Sequence, residues 1–156
     1  MNYKINQLSK PVKCELTRFP DIAALKYGHL SNDKSQPLVF DVTSFCKATG
    51  EEVDVNVFMK SQRLYIDRLV QVGILKAGEL FYVDKNKHVY MIEGLEPLFL
   101  MYASKTYQIY FYELLGEIMT TGVAVSDGFV LKMALDRIPS ETLQEIIRHR
   151  NEQEET

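Results

Sequence analysis

The segment from Glu79 to Glu93, ELFYVDKNKHVYMIE, constrains the fold of this chain more than any other part of the sequence. Two short runs rich in aromatic and β-branched residues, LFYV and HVYMI, flank the polar residues DKNK. Such runs favour extended backbone, and a short polar segment between them is typical of a turn. We therefore predict a β-hairpin over residues 80–92 with Asp84 to Lys87 at its tip.

Two helices are predicted before this hairpin. The run LVF after Pro37 predicts a strand, and Asp41 or Thr43 can then cap a short helix, TSFCKATG, that stops at Gly50. A longer helix is predicted over residues 55–70. Its apolar positions follow the 3–4 spacing of an amphipathic helix, and they are Phe58, Tyr65, Leu69 and Val72. Its polar side carries Lys60, Ser61, Arg63, Asp67 and Arg68.

The segments on either side complete an α+β fold. VKCELTRF predicts a strand, and DIAALKYGHL is compatible with a short helix or a second strand. Two packed helices are predicted over residues 94–119, and a last helix, SETLQEIIRHRNEQ, with Ser140 as its N-cap. We expect three parts, which are an N-terminal extension of strands over 1–35, a central domain over 36–116, and a C-terminal helical extension with an acidic tail over 117–156.

A short helix, a turn, a longer helix with a basic outer face and then a hairpin is the element order of a winged helix-turn-helix. In such a domain the second helix enters the major groove, and the hairpin reaches flanking phosphates or the minor groove. Gln can bond adenine bidentately and Arg can bond guanine. The candidate DNA contacts are Lys60, Ser61, Gln62 and Arg63 on the helix, Lys85, Asn86, Lys87 and His88 on the hairpin, and Lys47 at a backbone phosphate. An ordinary solvated helix face and an ordinary polar turn would use the same residue types, so both interpretations stay open.

The charge balance argues against a strongly basic nucleic-acid coat. The 156 residues carry 18 Lys and Arg against 21 Asp and Glu, a net charge of −3. Residues 117–156 hold four basic and eight acidic side chains, so the deficit lies in this segment and the rest of the chain is slightly positive. The hydrophobic fraction of 46% and the charged fraction of 25% exclude a disordered chain.

Motifs of catalysis and metal binding are missing from the sequence. The three histidines, His29, His88 and His149, are too far apart for a recognisable ligand set, and Cys14 and Cys46 form no CxxC pair. No phosphate-binding glycine loop, nucleophile elbow or zinc-protease motif occurs. We therefore expect a protein that is not an enzyme, needs no cofactor or metal, and keeps both thiols reduced and buried.

Three blocks of the sequence resemble the KilA-N domain of phages and large DNA viruses, which is related to the fungal APSES DNA-binding domains. FDVTSFCKATGEE resembles the family pattern N-A-T-K-L-C-K-A-x-G-K. VFMKSQRLYIDRLV resembles F-x-x-W-L-R-L-K-S-T-K-E-L-I-E-A-L, and IEGLEPLFLMYASKTYQIYF resembles the last block, with Leu95, Tyr102, Ser104, Tyr107 and Phe111 in corresponding places. The resemblance covers about residues 39–115.

The resemblance implies a DNA-binding regulator of a phage or mobile element that uses the 55–70 helix and the 80–92 hairpin on duplex DNA. The alternative is a non-enzymatic phage structural or protein-interaction module that reuses this scaffold without binding DNA. Tyr102, Tyr107, Tyr110, Phe111 and Tyr112 form an aromatic cluster whose helical spacing favours core or interface positions. A second copy or a phage protein is therefore expected to bind through Tyr102–Tyr112 or the C-terminal helix.

No apolar run approaches the ~20 residues that span a bilayer, and MNYKINQLSKPVK lacks the apolar core of a signal peptide. We expect a soluble protein without membrane contacts in the cytoplasm of the host cell, or in the virion if the alternative holds.

Overall fold

A mixed five-stranded sheet organises the computed structural model, which describes residues 3–19, 22–31, 36–125 and 127–154. The strands are β1 Ile5–Gln7, β2 Tyr27–His29, β3 Leu38–Asp41, β4 Phe81–Val83 and β5 Val89–Ile92. Their order across the sheet is β1-β4-β5-β3-β2. β1 runs parallel to β4, and every other neighbouring pair is antiparallel. The predicted hairpin is confirmed as β4 and β5, and the predicted strand after Pro37 as β3.

Seven α-helices accompany the sheet within the described residues, so the α+β class is confirmed. They are α1 Val42–Thr49, α2 Val55–Ser61, α3 Arg63–Gln71, α4 Glu96–Ala103, α5 Lys105–Thr121, α6 Asp127–Arg137 and α7 Ser140–Glu154. None of the helices in these described ranges is long and apolar enough to cross a membrane.

Asp41 decides where α1 begins. Its Oδ1 accepts a hydrogen bond from the Ser44 amide at 2.8 Å, and its Oδ2 accepts from the Ser44 hydroxyl at 2.7 Å. Thr43, the other predicted cap, instead accepts a hydrogen bond from the Val89 amide at 2.9 Å. This bond ties α1 to β5. The helix ends at Gly50, whose φ of 73° is left-handed, as predicted.

The predicted helix over 55–70 is two helices, which is a correction. Gln62 separates α2 from α3 with φ −98° and ψ 9°. The break rotates α3 about its axis, so Ile66 is fully buried while Tyr65 is 65% exposed and Val72 is 51% exposed. The predicted apolar stripe is therefore wrong at Tyr65 and Val72, whereas Phe58 is buried and Leu69 packs against the core as predicted.

Aromatic side chains hold the helices against one face of the sheet. Phe81, Met91 and Phe40 lie side by side on neighbouring strands and are all fully buried. The ring of Phe58 lies 6.4 Å from that of Phe81, and Phe99 lies 5.4 Å from Phe40 between ring centroids. Burying one such ring stabilises the fold by about 1.5–3 kcal/mol. Three strands and two helices therefore share one core.

Residues 8–16 cross the opposite face of the sheet. The Leu8 amide donates to the Val83 carbonyl at 2.8 Å, and the Val12 amide donates to the Tyr90 hydroxyl at 3.3 Å. Only Leu16 then pairs with a strand, through one bridge to Tyr27. The predicted strand VKCELTRF is therefore wrong. The segment crosses the strands of the sheet, and apart from the bridge at Leu16 it does not pair along a neighbouring strand.

The segment from 21 to 30 contains a strand, β2, preceded by a turn in which the Leu25 amide donates to the Ile22 carbonyl at 2.9 Å, while Asp21 lies outside the described residues. Both edge strands, β1 and β2, thus come from residues 1–35. The predicted boundaries of the three parts stay predictions.

The two predicted helices after the hairpin are confirmed as α4 and α5. Tyr107 of α5 packs on Phe45, with ring centroids 5.9 Å apart. The last helix is also confirmed, but its N-cap is not. Ser140 is already helical, and the Leu143 amide donates to the carbonyl of Pro139 at 3.1 Å.

Candidate nucleic-acid interface

The hairpin turn, residues 84–88, is organised by the carboxylate of Asp84. Its Oδ1 accepts hydrogen bonds from the amides of Asn86 at 2.8 Å and His88 at 2.9 Å, and its Oδ2 accepts from the Tyr90 hydroxyl at 3.1 Å. Burial on its own would raise the pKa of Asp84, but these hydrogen bonds outweigh it and hold the pKa below the usual value. The ionised carboxylate therefore stays inside the turn and fixes its shape.

The backbone of the turn is closed at both ends. The Asp84 amide donates to the His88 carbonyl at 3.0 Å, and the Lys87 amide donates to the Asp84 carbonyl at 3.0 Å. Lys87 adopts a left-handed φ of 64°, which is uncommon for a residue with a Cβ. This conformation directs the chain back into β5.

Two lysines stand in solvent on this fixed turn. Lys85 and Lys87 are both exposed, as is Asn86 between them. Among the described residues, no carboxylate oxygen lies within 4.0 Å of either ammonium group. Their charges are therefore available to an anion from outside the chain.

His88, the fourth predicted hairpin contact, points toward α1. Its Nδ1 lies 3.6 Å from Oδ2 of Asp41, the residue that caps α1, and its side chain is only 32% exposed. The imidazole is therefore placed to link the turn to the start of α1 rather than to extend beyond the turn.

The four predicted helix contacts lie at the junction of α2 and α3. They differ in whether their side chains are already engaged within the chain or are free to bind a ligand. The Ser61 hydroxyl donates to the Phe58 carbonyl at 3.1 Å, and the Gln62 amide nitrogen donates to Ser61 Oγ at 3.3 Å. Arg63 Nε lies 3.7 Å from Asp67 Oδ2. Lys60 is exposed and has no carboxylate within 4.0 Å in the described part of the chain. Its charge, like those of the hairpin lysines, is not neutralised by a neighbour.

Asp67 is held in turn by a distant residue. The Tyr3 hydroxyl donates to Asp67 Oδ1 at 2.5 Å, and burial together with this hydrogen bond raises the pKa of Tyr3 to about 12. The carboxylate beside Arg63 is thus anchored to the N-terminal segment, and no pattern in the sequence predicts this contact.

Lys47 lies in an acidic cleft of about 740 Å³ between α1 and β5. The cleft is also lined by Glu51, Glu52 and Asp54. Asp54 caps α2 by accepting from the Asn56 and Val57 amides at 2.7 and 3.1 Å. The three carboxylates oppose the approach of a phosphate to Lys47, so this residue is the least favourable of the predicted contacts.

The predicted residues fall into two groups by element, Lys60 to Arg63 at the junction of α2 and α3 and Lys85 to His88 on the hairpin turn. Val55, the first residue of α2, lines the acidic cleft together with Val89 at the base of the hairpin. Lys60 lies at the other end of α2, about 8 Å along the helix axis at 1.5 Å per residue. No described hydrogen bond or ion pair joins the 60–63 junction to the hairpin turn.

Among the described residues, no three His, Cys, Asp or Glu side chains lie together as the ligands of a metal ion would. Both cysteines are free and partly buried, and burial raises the pKa of the Cys14 thiol to about 12.

Comparisons of this chain with protein-family models, with curated proteins and with solved structures found no match. Its function must therefore be inferred from its own residues.

Proposed function

We propose that this chain is a DNA-binding protein of the KilA-N type, from a phage or mobile element, that holds duplex DNA with a winged helix-turn-helix. The hairpin turn is the wing, and α2 with the 60–63 junction is the element that enters the major groove. One observation carries the proposal, namely that Lys85 and Lys87 stand exposed on a turn that the buried Asp84 holds in one shape.

A fixed turn suits phosphate binding for an energetic reason. Ordering a flexible lysine-bearing loop on binding costs about 0.5–1.5 kcal/mol per immobilised side chain, in addition to its backbone entropy. Two backbone amides of the turn donate to the Asp84 carboxylate, which the Tyr90 hydroxyl also holds, so only the two lysine side chains have to be ordered. Each ammonium that reaches a phosphate also releases condensed counterions from the DNA.

The 60–63 junction can supply the second contact. Lys60 is available, and Arg63 is engaged only with Asp67 in an exposed pair, whose side chains are 54% and 37% exposed. Exposed pairs of this kind are worth at most about 1 kcal/mol. A phosphate or a guanine edge can therefore displace the carboxylate and recruit the guanidinium.

The salt dependence of duplex binding tests this proposal. In a fluorescence anisotropy titration between about 50 and 200 mM salt, the logarithm of affinity should fall linearly with the logarithm of salt concentration. The double variant Lys85→Gln with Lys87→Gln should reduce that slope by roughly two, because each lost phosphate contact contributes about 0.9. Lys60→Gln with Arg63→Gln should weaken binding and flatten the slope in the same way.

The matched control is Lys76→Gln with Lys105→Gln, which removes the same charge at exposed positions outside both groups. It should leave the slope unchanged. The proposal fails if the wild-type chain shows no salt-sensitive retention of duplex DNA at the lowest salt, or if the control lowers the slope as much as the hairpin variant does.

The acidic cleft favours a second candidate, a phage structural or protein-interaction module without DNA binding. Glu51, Glu52 and Asp54 line the cleft together with Lys47 and with Val89 at the base of the hairpin, and their charges oppose the approach of DNA phosphates there. In that case the chain shows no binding to duplex DNA in the same titration and forms a complex of defined stoichiometry with a protein. The titration therefore separates the two candidates.

A further inference from the structure

The outer face of α5 leaves large apolar side chains in water. Tyr107 and Phe111 turn toward the core and pack against it. On the other side of the same helix, Ile109, Tyr112 and Met119 are 61%, 77% and 81% exposed. A helix of a single folded domain ordinarily carries polar residues on its solvent side. This helix has two apolar faces, of which the described residues cover only one.

The spacing on the outer face is that of a helix-pairing seam. Ile109, Tyr112, Gly116 and Met119 follow one another at intervals of three, four and three residues, which is the a and d pattern of a coiled coil. No atom lies within 4 Å of the position that a Cβ on Gly116 would occupy. The seam is therefore open at its centre, where a second helix can approach closely.

The next helix, α6, carries apolar side chains around most of its circumference, with Lys132 and Asp136 on one side. Val130, Leu131 and Leu135 are about half exposed, and none of the described side chains of α6 is buried. Apolar side chains over so much of a helix are normally covered by another surface. An isolated helix of 11 residues is also marginal in water, so α6 requires a surface to pack on.

The exposed apolar area is what a dimer needs. On α5, α6 and the segment between them, from Ile109 to Leu135, twelve large apolar side chains are exposed in the described residues. Full burial removes on the order of 100 Å² from each such side chain, so half-exposed they present roughly 600 Å² in all. A standard interface buries about 800 Å² per partner, and about 65% of a homodimer interface is apolar.

We propose that the outer face of α5 together with α6 is the interface of a homodimer, and that a second copy of this chain covers it. Charge at the ends of α6 supports a second copy. Asp127 begins the helix and Arg137 ends it. When two copies of α6 pack antiparallel about a two-fold axis, each Asp127 lies beside Arg137 of the other copy. The same apolar side chains then meet across the axis.

Light scattering coupled to size exclusion tests the dimer without DNA, so its outcome is independent of the proposed DNA binding. The full chain should elute with a mass of twice 18.0 kDa. Tyr112→Glu with Met119→Glu should elute at 18.0 kDa at the same concentration, because both side chains lie exposed on the seam. Since neither side chain is in the core, circular dichroism should show an unchanged fold around the sheet.

The matched control is Leu64→Glu with Tyr65→Glu, which alters equally exposed apolar residues on α3, 84% and 65% exposed. It should remain dimeric. A wild-type mass of one chain at concentrations up to about 100 μM, a mass above two chains, or dissociation of the control to the same extent would each overturn the proposal.

Discussion

Gly28 lies where the N-terminal segment crosses the sheet, and Gly28→Ala tests that arrangement. A Cβ at this position would point away from the helices and meet the backbone of the crossing segment. The carbonyl carbon of Lys13 would be 2.9 Å away and Cγ1 of Val12 3.0 Å away, with the Lys13 oxygen closer still. Ordinary contact begins at 3.4 Å, so the crossing backbone has to retreat by at least half an ångström. The crossing backbone is hydrogen-bonded to Val83 of β4 and to the Tyr90 hydroxyl, so moving it would weaken these hydrogen bonds.

The expected cost follows from two opposing effects. Forcing an extra methyl into a packed region costs about 1–3 kcal/mol. Replacing glycine lowers the entropy of the unfolded chain and returns about 0.4–1 kcal/mol. Gly28→Ala should therefore destabilise the fold by roughly 1 kcal/mol, which lowers Tm by about 2–4 °C in a chain of this size.

Thermal and urea unfolding, followed by circular dichroism, measure this effect. Gly78→Ala is the control, because no atom lies within 4 Å of its Cβ position and its φ is not left-handed. It should change the free energy of unfolding by less than about 0.5 kcal/mol. If Gly28→Ala is as stable as the control, residues 8–16 do not cover this face as described.

Three further outcomes are expected. Phe58→Ala removes a ring that packs on the sheet and α4, and should cost about 3–5 kcal/mol in urea unfolding, whereas the exposed Val57→Ala should cost less than about 0.5. Burial raises the pKa of Glu96 from 4.5 to about 7, so the folded chain keeps a proton that the unfolded chain releases. Stability should therefore fall as pH rises from about 4.5 to 7, and Glu96→Gln should abolish that fall. The partly buried Cys14 thiol, whose pKa is about 12, should be alkylated slowly at about pH 8 and fast once urea unfolds the chain.

Local signals in the sequence predicted the centre of the fold well. The hairpin, a cap at Asp41 or Thr43 and the stop at Gly50 each depend on neighbouring residues alone, and the structure contains all three, with Asp41 as the cap. The division of the 55–70 helix was missed because no proline or glycine marks it. Gln62 breaks the helix through tertiary packing, which buries Ile66 in place of Tyr65.

The candidate site was harder to predict, because contacts between distant residues determine whether a charged side chain is free to bind a phosphate. Lys85 and Lys87 lie in a turn that the sequence identifies, and their exposure follows from that turn. The partner of Arg63, by contrast, is an aspartate anchored by Tyr3, sixty-four residues before it. The sequence places Lys47 beside Cys46, but only the fold places it in a cleft with Glu51 and Glu52.

A net charge of −3 overstates the repulsion that a DNA phosphate meets at the hairpin turn. Asp41 and Asp84 are both buried, and each accepts hydrogen bonds that offset its charge locally, whereas Lys60, Lys85 and Lys87 are exposed. Screening limits exposed charges to about 8–10 Å at physiological salt, so distant acids add little to the field at the turn. The carboxylates that matter are those of the acidic cleft, which lies at the base of the same hairpin. The proposed DNA binding therefore requires that the two lysines of the turn contact phosphates at a distance from Glu51, Glu52 and Asp54. The position of these charges, and not the net charge of the chain, determines whether DNA is bound.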